Sequence, residues 1–318
     1  MWIYATIIGK RLNMNGIVKK ILNTIADITD RPNGAFNIRV NGKSEERAST
    51  PNVEIRSKTD NPGIDVIVKP GTKGEFVHIP VVIDESGIND LVYNDFYIGE
   101  DCDILIMAGC GIHNDGTHLT QHDGIHTFHV GENSKVKYVE RHYGEGNGNG
   151  ENVLNPETII ILDKNSHMEM ESTQIEGVDS TNRKTKAEVG EGATLVTKEI
   201  IMTSGKQVAT TDFYIDLNGK KSSTNVVSRS VAKGESKQVF SSVINGNNEC
   251  AGHSECDAII MDNAIVKAVP DVTANHVDAA LIHEAAIGKI AGEQIVKLMT
   301  LGLDEEAAEQ EIVRGFLR

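Results

Sequence analysis

From Ala35 to about Val272 the sequence carries no helical periodicity. In its place stand short β-rich runs, among them FNIRV, NVEIRS, IDVIVK, FVHIPVVI, DILIMAG, TIIILD, HMEMES and TLVTKEIIM, separated by turn-forming clusters. Four of the turns read alike: HVGENSKVKYVE, ILDKNSHMEME, EVGEGATLVTKE and DLNGKKSSTNVV. Their marker positions, Gly131, Lys164, Gly190 and Gly219, lie about 26 to 33 residues apart, a loose period of the kind stacked coils produce. Each coil buries only its inward side chains, so coils must stack to make a continuous core. The pattern predicts a mostly β fold, a right-handed parallel β-helix. A β-sandwich is the alternative, but it would carry more hairpin turns than Asn41-Gly42 and Asn218-Gly219. Aromatic residues make up only 4% of the chain and there are 30 glycines, which suits a narrow, repeated core better than a wide one.

Helical patterns flank this region. Ile17, Val18, Ile21, Leu22, Ile25 and Ile28 recur at spacings of three and four before Asp30, Pro32 and Gly34 break the run, which predicts one short N-terminal helix. Near Ala285 the segment AIGKIAGEQIVKLMTLG places Ile287, Ile290, Ile295, Leu298 and Met299 near one helical face and stops at Gly302. Asp304 then caps a second helix with Glu305 and Glu306 in its first turn, so the chain is expected to end as a helical hairpin. The expected organisation is a tail and helix over 1–34, a β-helix core over 35–275 and a helical segment over 276–318. Met14 opens a cleaner amphipathic start than Met1, so residues 1–13 are read as a misassigned extension or a tail.

The net charge of −15 repels phosphate backbones and anionic lipid heads, which excludes nucleic acid and membrane surfaces as expected partners. No run reaches the roughly 20 apolar residues of a membrane-spanning helix. The opening MWIYATIIGKR lacks the pattern of a secretory signal, and four cysteines make no disulfide framework; both fit reduced thiols in the cytoplasm.

Gly42-Lys43-Ser44 resembles the end of a phosphate-binding loop, but the glycine required five residues earlier is Asn37 and no helix follows. The glycine-rich run from Gly144 to Gly150 is a low-complexity loop. The densest set of potential metal ligands is Cys102, Cys110, His113, His118, His122, His126, His129 and His142, since imidazole and thiolate are the usual ligands for zinc, iron and copper. Surface imidazoles on a turn-rich coil are the alternative, because glycines interrupt any helix that would align them and a strand sends His126 and His129 to opposite sides. A second set, CAGHSEC, puts Cys250, His253 and Cys256 within seven residues, a spacing that a tight loop turns into a chelate lacking its fourth ligand. His283-Glu284 follows just before the C-terminal helices. A thiolate, an imidazole and a carboxylate together would hold iron and sulfide; packing inside the fold is the competing role for these residues.

The stretch from Gly252 to Leu317, with its Cys-Asp run, a His-Glu-Ala-Ala segment, a Gly-Lys then Glu-Gln helix and a final Ile-Val-Arg-Gly-Phe, resembles the C-terminal part of the SufB/SufD core family of iron–sulfur cluster assembly. The resemblance implies a cytoplasmic, non-catalytic scaffold that carries a transient Fe–S cluster. It implies a SufC-type ABC ATPase as partner, docked on residues 285–318, and a homodimer or a SufB/SufD-like heterodimer. By position, Cys256 matches the family cysteine that receives sulfur, His283 the histidine used at the dimer interface, and Glu284 the carboxylate beside it. MDNAIVKAVPDV lacks the further cysteine and the aromatic of longer bacterial SufB chains, and Ile282 stands where they offer a glutamate, so the residues do not decide between a SufB-like and a SufD-like role. Nothing in the residues decides whether such an assembly also holds a flavin.

Two rival readings come from other classes. One is a metal-binding protein built on the His113 to His129 cluster. The other is a β-helical carbohydrate-active enzyme, which needs paired carboxylates and usually a groove of aromatics, and the low aromatic content opposes it.

Overall fold

The computed structural model describes residues 14–317, so the expectation about residues 1–13 lies outside the described residues. Helix α1 (Gly16–Ala26) opens the fold, capped by the Asn15 side chain, which accepts from the Val18 N–H. Four short strands follow: β1 (Ala35–Val40), β2 (Lys43–Ala48), β3 (Val53–Ser57) and β4 (Gly63–Val68). Then come the strands of the coils: β5 (Lys73–Ile83), β6 (Asn89–Ile98), β7 (Asp103–His113), β8 (Thr120–Val130), β9 (Lys135–Glu145), β10 (Asn152–Leu154), β11 (Glu157–Leu162) and β12 (His167–Gln174). The stack ends with β13 (Ser180–Val189), β14 (Thr194–Thr203), β15 (Val208–Leu217), β16 (Ser222–Ala232), β17 (Lys237–Gly246), β18 (Cys250–Ile260), β19 (Ile265–Ala274) and β20 (Ala279–Gly288). Helices α2 (Gly292–Met299) and α3 (Glu305–Phe316) close the chain.

The architecture is a parallel β-solenoid of about eight turns. Successive strands of the coils alternate between two sheets, with β10 and β11 sharing one position. One runs β2-β1-β5-β7-β9-β12-β14-β16-β18-β20, the other β19-β17-β15-β13-β10-β8-β6-β4-β3 with β11 beside β13 and β8. Register fixes the coil length: Val136 pairs with Met168, 32 residues on, and Met168 with Leu195, 27 residues on. Strict alternation along each strand sends every second side chain inward, and Val68, Phe96, Phe128, Leu162, Val189, Leu217 and their neighbours build one continuous core. One corner repeats a left-handed residue at Asp101, Asn133, Asn165, Gly192 and Lys221. Asparagine, aspartate and glycine tolerate that conformation, which explains the recurring turn sequences.

Asn41-Gly42 is a hairpin, with positive φ at both residues, joining antiparallel β1 and β2. Asn218-Gly219 is not: it is a coil corner between β15 and β16, which lie in different sheets. The solenoid also runs past the expected boundary at 275, because β20 pairs in parallel along the whole of β18 and ends at Gly288. Ala285 to Gly288 are therefore strand, and the first C-terminal helix starts only at Gly292.

α1 lies on the outer face of β5, β7 and β9, where Ile21, Leu22 and Ile25 pack with Phe36, Ile38 and Val82. The close approach depends on Gly109 and Gly111. A Cβ at Gly111 would stand 2.2 Å from Ile21 Cγ2, and one at Gly109 2.8 Å from Ile25 Cβ. α3 is anchored by the buried Ala308 and by Arg229, whose Nη1 donates to the Phe316 carbonyl.

Candidate functional site

The CAGHSEC segment is strand β18 rather than a chelating loop, and alternation decides the fate of its side chains. Cys250 and Cys256 are buried in the interior, while His253 faces outward, its Nδ1 2.9 Å from Asn225 Oδ1. Six residues of extended strand separate the two thiols by about 20 Å, so they share no ligand. β20 covers β18 in register, with Ser254 opposite His283, Glu255 opposite Glu284 and Cys256 opposite Ala285. His283 therefore lies on the same inner face as Cys256, one step along the neighbouring strand. Glu284 lies on the outer face, its Oε2 3.9 Å from His253 Nε2. A single chain thus places Cys256 and His283 on the same inner face of adjacent strands and Glu284 on the other, because adjacent residues of a strand point to opposite faces.

Cys256 is 1% exposed. Its thiol pKa is pushed up to about 12 by burial, with the negative charges of Glu199 and Asp257 adding to the effect. It is a protonated, unreactive thiol until something opens the site. Its flanking partners on the inner face are small, Ser228 on β16 and Ala285 on β20. The His283 Nδ1 is buried with no hydrogen-bond partner. Burial lowers the pKa of this imidazole, the nearby His253 lowers it further, and Glu284 opposes them. At neutral pH His283 is thus a neutral imidazole with a free ring nitrogen, the form that binds a metal ion.

Cys256 heads an inward column that runs down the stack through Ser228, Glu199, Ser172 and Glu140. Glu199 Oε1 accepts from Thr211 Oγ1 at 2.9 Å, and burial raises its pKa against the pull of Arg183. Arg183 crosses from β13 in the facing sheet. Its Nη1 donates to Ser172 and lies 3.3 Å from Glu140 Oε2, while Nη2 donates to His142 Nδ1 at 2.9 Å. Burial alone would raise the Glu140 pKa, but His142 and Arg183 outweigh it and hold the carboxylate well below its ordinary range. The histidine-based reading did not anticipate these lumen carboxylates and Arg183. The only available signal was charged residues on the inward phase of alternating strands, as in KVKYVERHYGE.

The histidine-rich segment is divided by the same alternation. His122, His126, His142 and Cys110 point into the lumen; His113, His118 and His129 lie outside it. His122 Nδ1 sits 3.1 Å from Asp90 Oδ2, and His126 is engaged by Tyr138 and Asn94. Outside, His113 pairs with Asp115 and Glu145, and His129 stacks on Tyr97. Cys102 is tied into a corner, its Sγ donating to the Lys69 carbonyl. Among the described residues no three His, Cys, Asp or Glu side chains converge as metal ligands.

Fold and site define a β-solenoid whose last coils hold a buried thiol beside an unpartnered imidazole. Residues 98–316 match the family model described as "SUF system FeS cluster assembly, SufBD core domain". Similar proteins include an iron–sulfur cluster assembly SufBD family protein of Archaeoglobus fulgidus, 28% identical over 71% of this chain and 60% of that protein. Another, from Methanocaldococcus jannaschii, is 27% identical over 79% of each chain. A third, from Staphylococcus epidermidis, is 30% identical over 41% of this chain and 29% of its own. The chain belongs to the SufBD family of iron–sulfur cluster assembly proteins. It spans about three fifths of the length of the Archaeoglobus fulgidus relative and of a similar SufBD family protein from Methanothermobacter thermautotrophicus. No helix among the described residues is long and apolar enough to cross a membrane.

Proposed function

We propose that this chain is the scaffold on which an Fe–S cluster is built, with Cys256 receiving sulfur, His283 supplying a metal ligand, and a SufC-type ATPase docking on residues 285–318. The observation that carries the reading is the pairing of a buried thiol with an unpartnered imidazole nitrogen in the last two strands of one sheet, in a chain of this family. The cluster is cargo, not a resident group, so a site that is closed and protonated at rest suits the role. Dimerisation accounts for Glu284. β19 and β20 are edge strands, paired only with β17 and β18; they expose Ile265, Val269 and Ile282, and the turn between them exposes Val277. An unprotected apolar edge of this kind favours a second sheet. A two-fold copy meeting there would bring a second Cys256 and His283 to the seam and cover the outward Glu284 and His253.

The test is anaerobic co-expression with a SufC-type ATPase. Co-purification that is lost when residues 291–318 are deleted, with iron and sulfide that disappear in Cys256→Ser and diminish in His283→Ala, supports the reading. Unaltered iron and sulfide in Cys256→Ser, or an ATPase that never co-purifies, overturns it.

A further inference from the structure

At the opposite end of the solenoid the first coil encloses a cavity of about 240 Å³ between the β1–β2–β5 edge of one sheet and the β3–β4–β6 edge of the other. Its walls carry Arg39, Arg47 and Lys58 together with the Ser44 and Ser57 hydroxyls and Asn37, a concentration of cations in a chain of net charge −15. Two of the three cations are already neutralised. Arg39 makes a two-pronged pair with Asp90, Nε to Oδ2 at 2.9 Å and Nη2 to Oδ1 at 2.6 Å. Lys58 sits between Asp65 and Asp95, at 2.7 and 2.6 Å.

Arg47 differs. Its guanidinium is held only by neutral oxygens: Nε donates to Asn37 Oδ1 at 2.8 Å, Nη1 to Ser57 Oγ at 2.9 Å and Nη2 to Ser44 Oγ at 3.4 Å. No carboxylate among the described residues forms an ion pair with it. Three hydrogen bonds fix the orientation of the plane, leaving two of its five N–H groups unused; the Ser44 hydroxyl donates to Asn37 Oδ1 at 2.6 Å, while the Ser57 hydroxyl can turn its proton toward a ligand. A half-buried cation that lacks a counter-charge, preset in a polar cavity, is a receptor for an anion.

We infer that this cavity binds a small oxyanion on the Arg47 guanidinium, with the Ser57 hydroxyl as an additional donor. Tetrahedral anions such as phosphate or sulfate and a planar carboxylate share the required chemistry, and the fork of a guanidinium accepts either. The site is at the far end of the stack from Cys256 and does not depend on the cluster-building role.

Calorimetric titration of the full chain with inorganic phosphate, sulfate and acetate, each at constant ionic strength made up with chloride, tests it. One saturable site for at least one of these anions is expected, at least tenfold weaker in Arg47→Gln and unchanged in Arg56→Gln, which alters an exposed arginine paired with Asp65 across the β3–β4 ladder. Saturation by phosphate or sulfate assigns a tetrahedral ligand; saturation by acetate alone assigns a carboxylate. Should Arg47→Gln fail to fold, Arg47→Lys keeps the charge without the fork and is expected to bind several-fold more weakly. Heats no larger than those of chloride in the native chain overturn the inference, as does an affinity unaffected by either Arg47 variant.

Discussion

His126 has both ring nitrogens engaged inside the lumen, Nδ1 with Tyr138 and Nε2 with Asn94, and burial brings its pKa down to about 4. In the unfolded chain the same imidazole takes up its proton near pH 6.5. The contribution of this group to stability is therefore complete above about pH 6.5 and is lost as the pH falls toward 4, a swing on the order of 3 kcal/mol. Glu140, held low in the folded state, adds a loss of the same sign at more acid pH. Thermal midpoints should fall between pH 7 and 5, with a flatter profile in His126→Gln; identical profiles for the two proteins would rule this out. Arg183→Met should cost about 3–5 kcal/mol in urea melts, because Glu140 is then a buried charge without its cation. Adding Glu140→Gln should recover part of that loss. Cys256 is the third case. With a pKa near 12 its native thiol should be alkylated at pH 8 orders of magnitude more slowly than after unfolding, as read by mass spectrometry with iodoacetamide.

Among the elements, α1 offers the sharpest contrast between what periodicity reveals and what it hides. Val18, Ile21, Leu22 and Ile25 mark its apolar face at spacings of three and four, and those side chains are indeed buried. Its docking site was hidden, because Gly109 and Gly111 act through the absence of side chains and read as ordinary strand glycines. Gly111→Ala should destabilise the chain by about 1–3 kcal/mol by forcing Ile21 away, measured by chemical denaturation; no change would mean that α1 adjusts freely. The coils were legible because each must supply the same corner. Their register is blurred in the sequence, where Lys164 aligns with Gly131 and Gly190, whereas Asp163 is the residue that bonds back to the previous coil as they do. Alternation within β18 and β20 decided the site. Spacing suggested that Cys250, His253 and Cys256 act together, and the family resemblance that Glu284 joins His283, whereas a strand sends His253 away from both cysteines and Glu284 away from His283. The helical reading of Ala285 to Gly288 failed for a related reason: its alanines favour a helix, but its backbone is claimed by the ladder to β18.

At the scale of the molecule the two ends of the solenoid are finished differently. The N-terminal end turns back in antiparallel pairs, and its edge strand β2, KSEERA, is polar. The C-terminal end stops with apolar side chains exposed, Val277 93% and Ile282 56% among them. If the latter edge is the dimer seam, Ile282→Lys combined with Val269→Lys should shift the chain to a monomer in light scattering while the circular dichroism of the coils is retained; a dimer that persists places the seam elsewhere. The placement of β20 has a mechanical consequence. It is joined to α2 at its Gly288 end and runs parallel to β18, so tension on the terminal helices loads the ladder at Gly288 first. Unzipping from there frees Ala285, the residue over Cys256, within four residues, long before reaching Ala279 over Cys250. Each hydrogen bond would then break in turn instead of all at once, so a small displacement of the terminal helices would uncover one thiol and leave the rest of the stack intact.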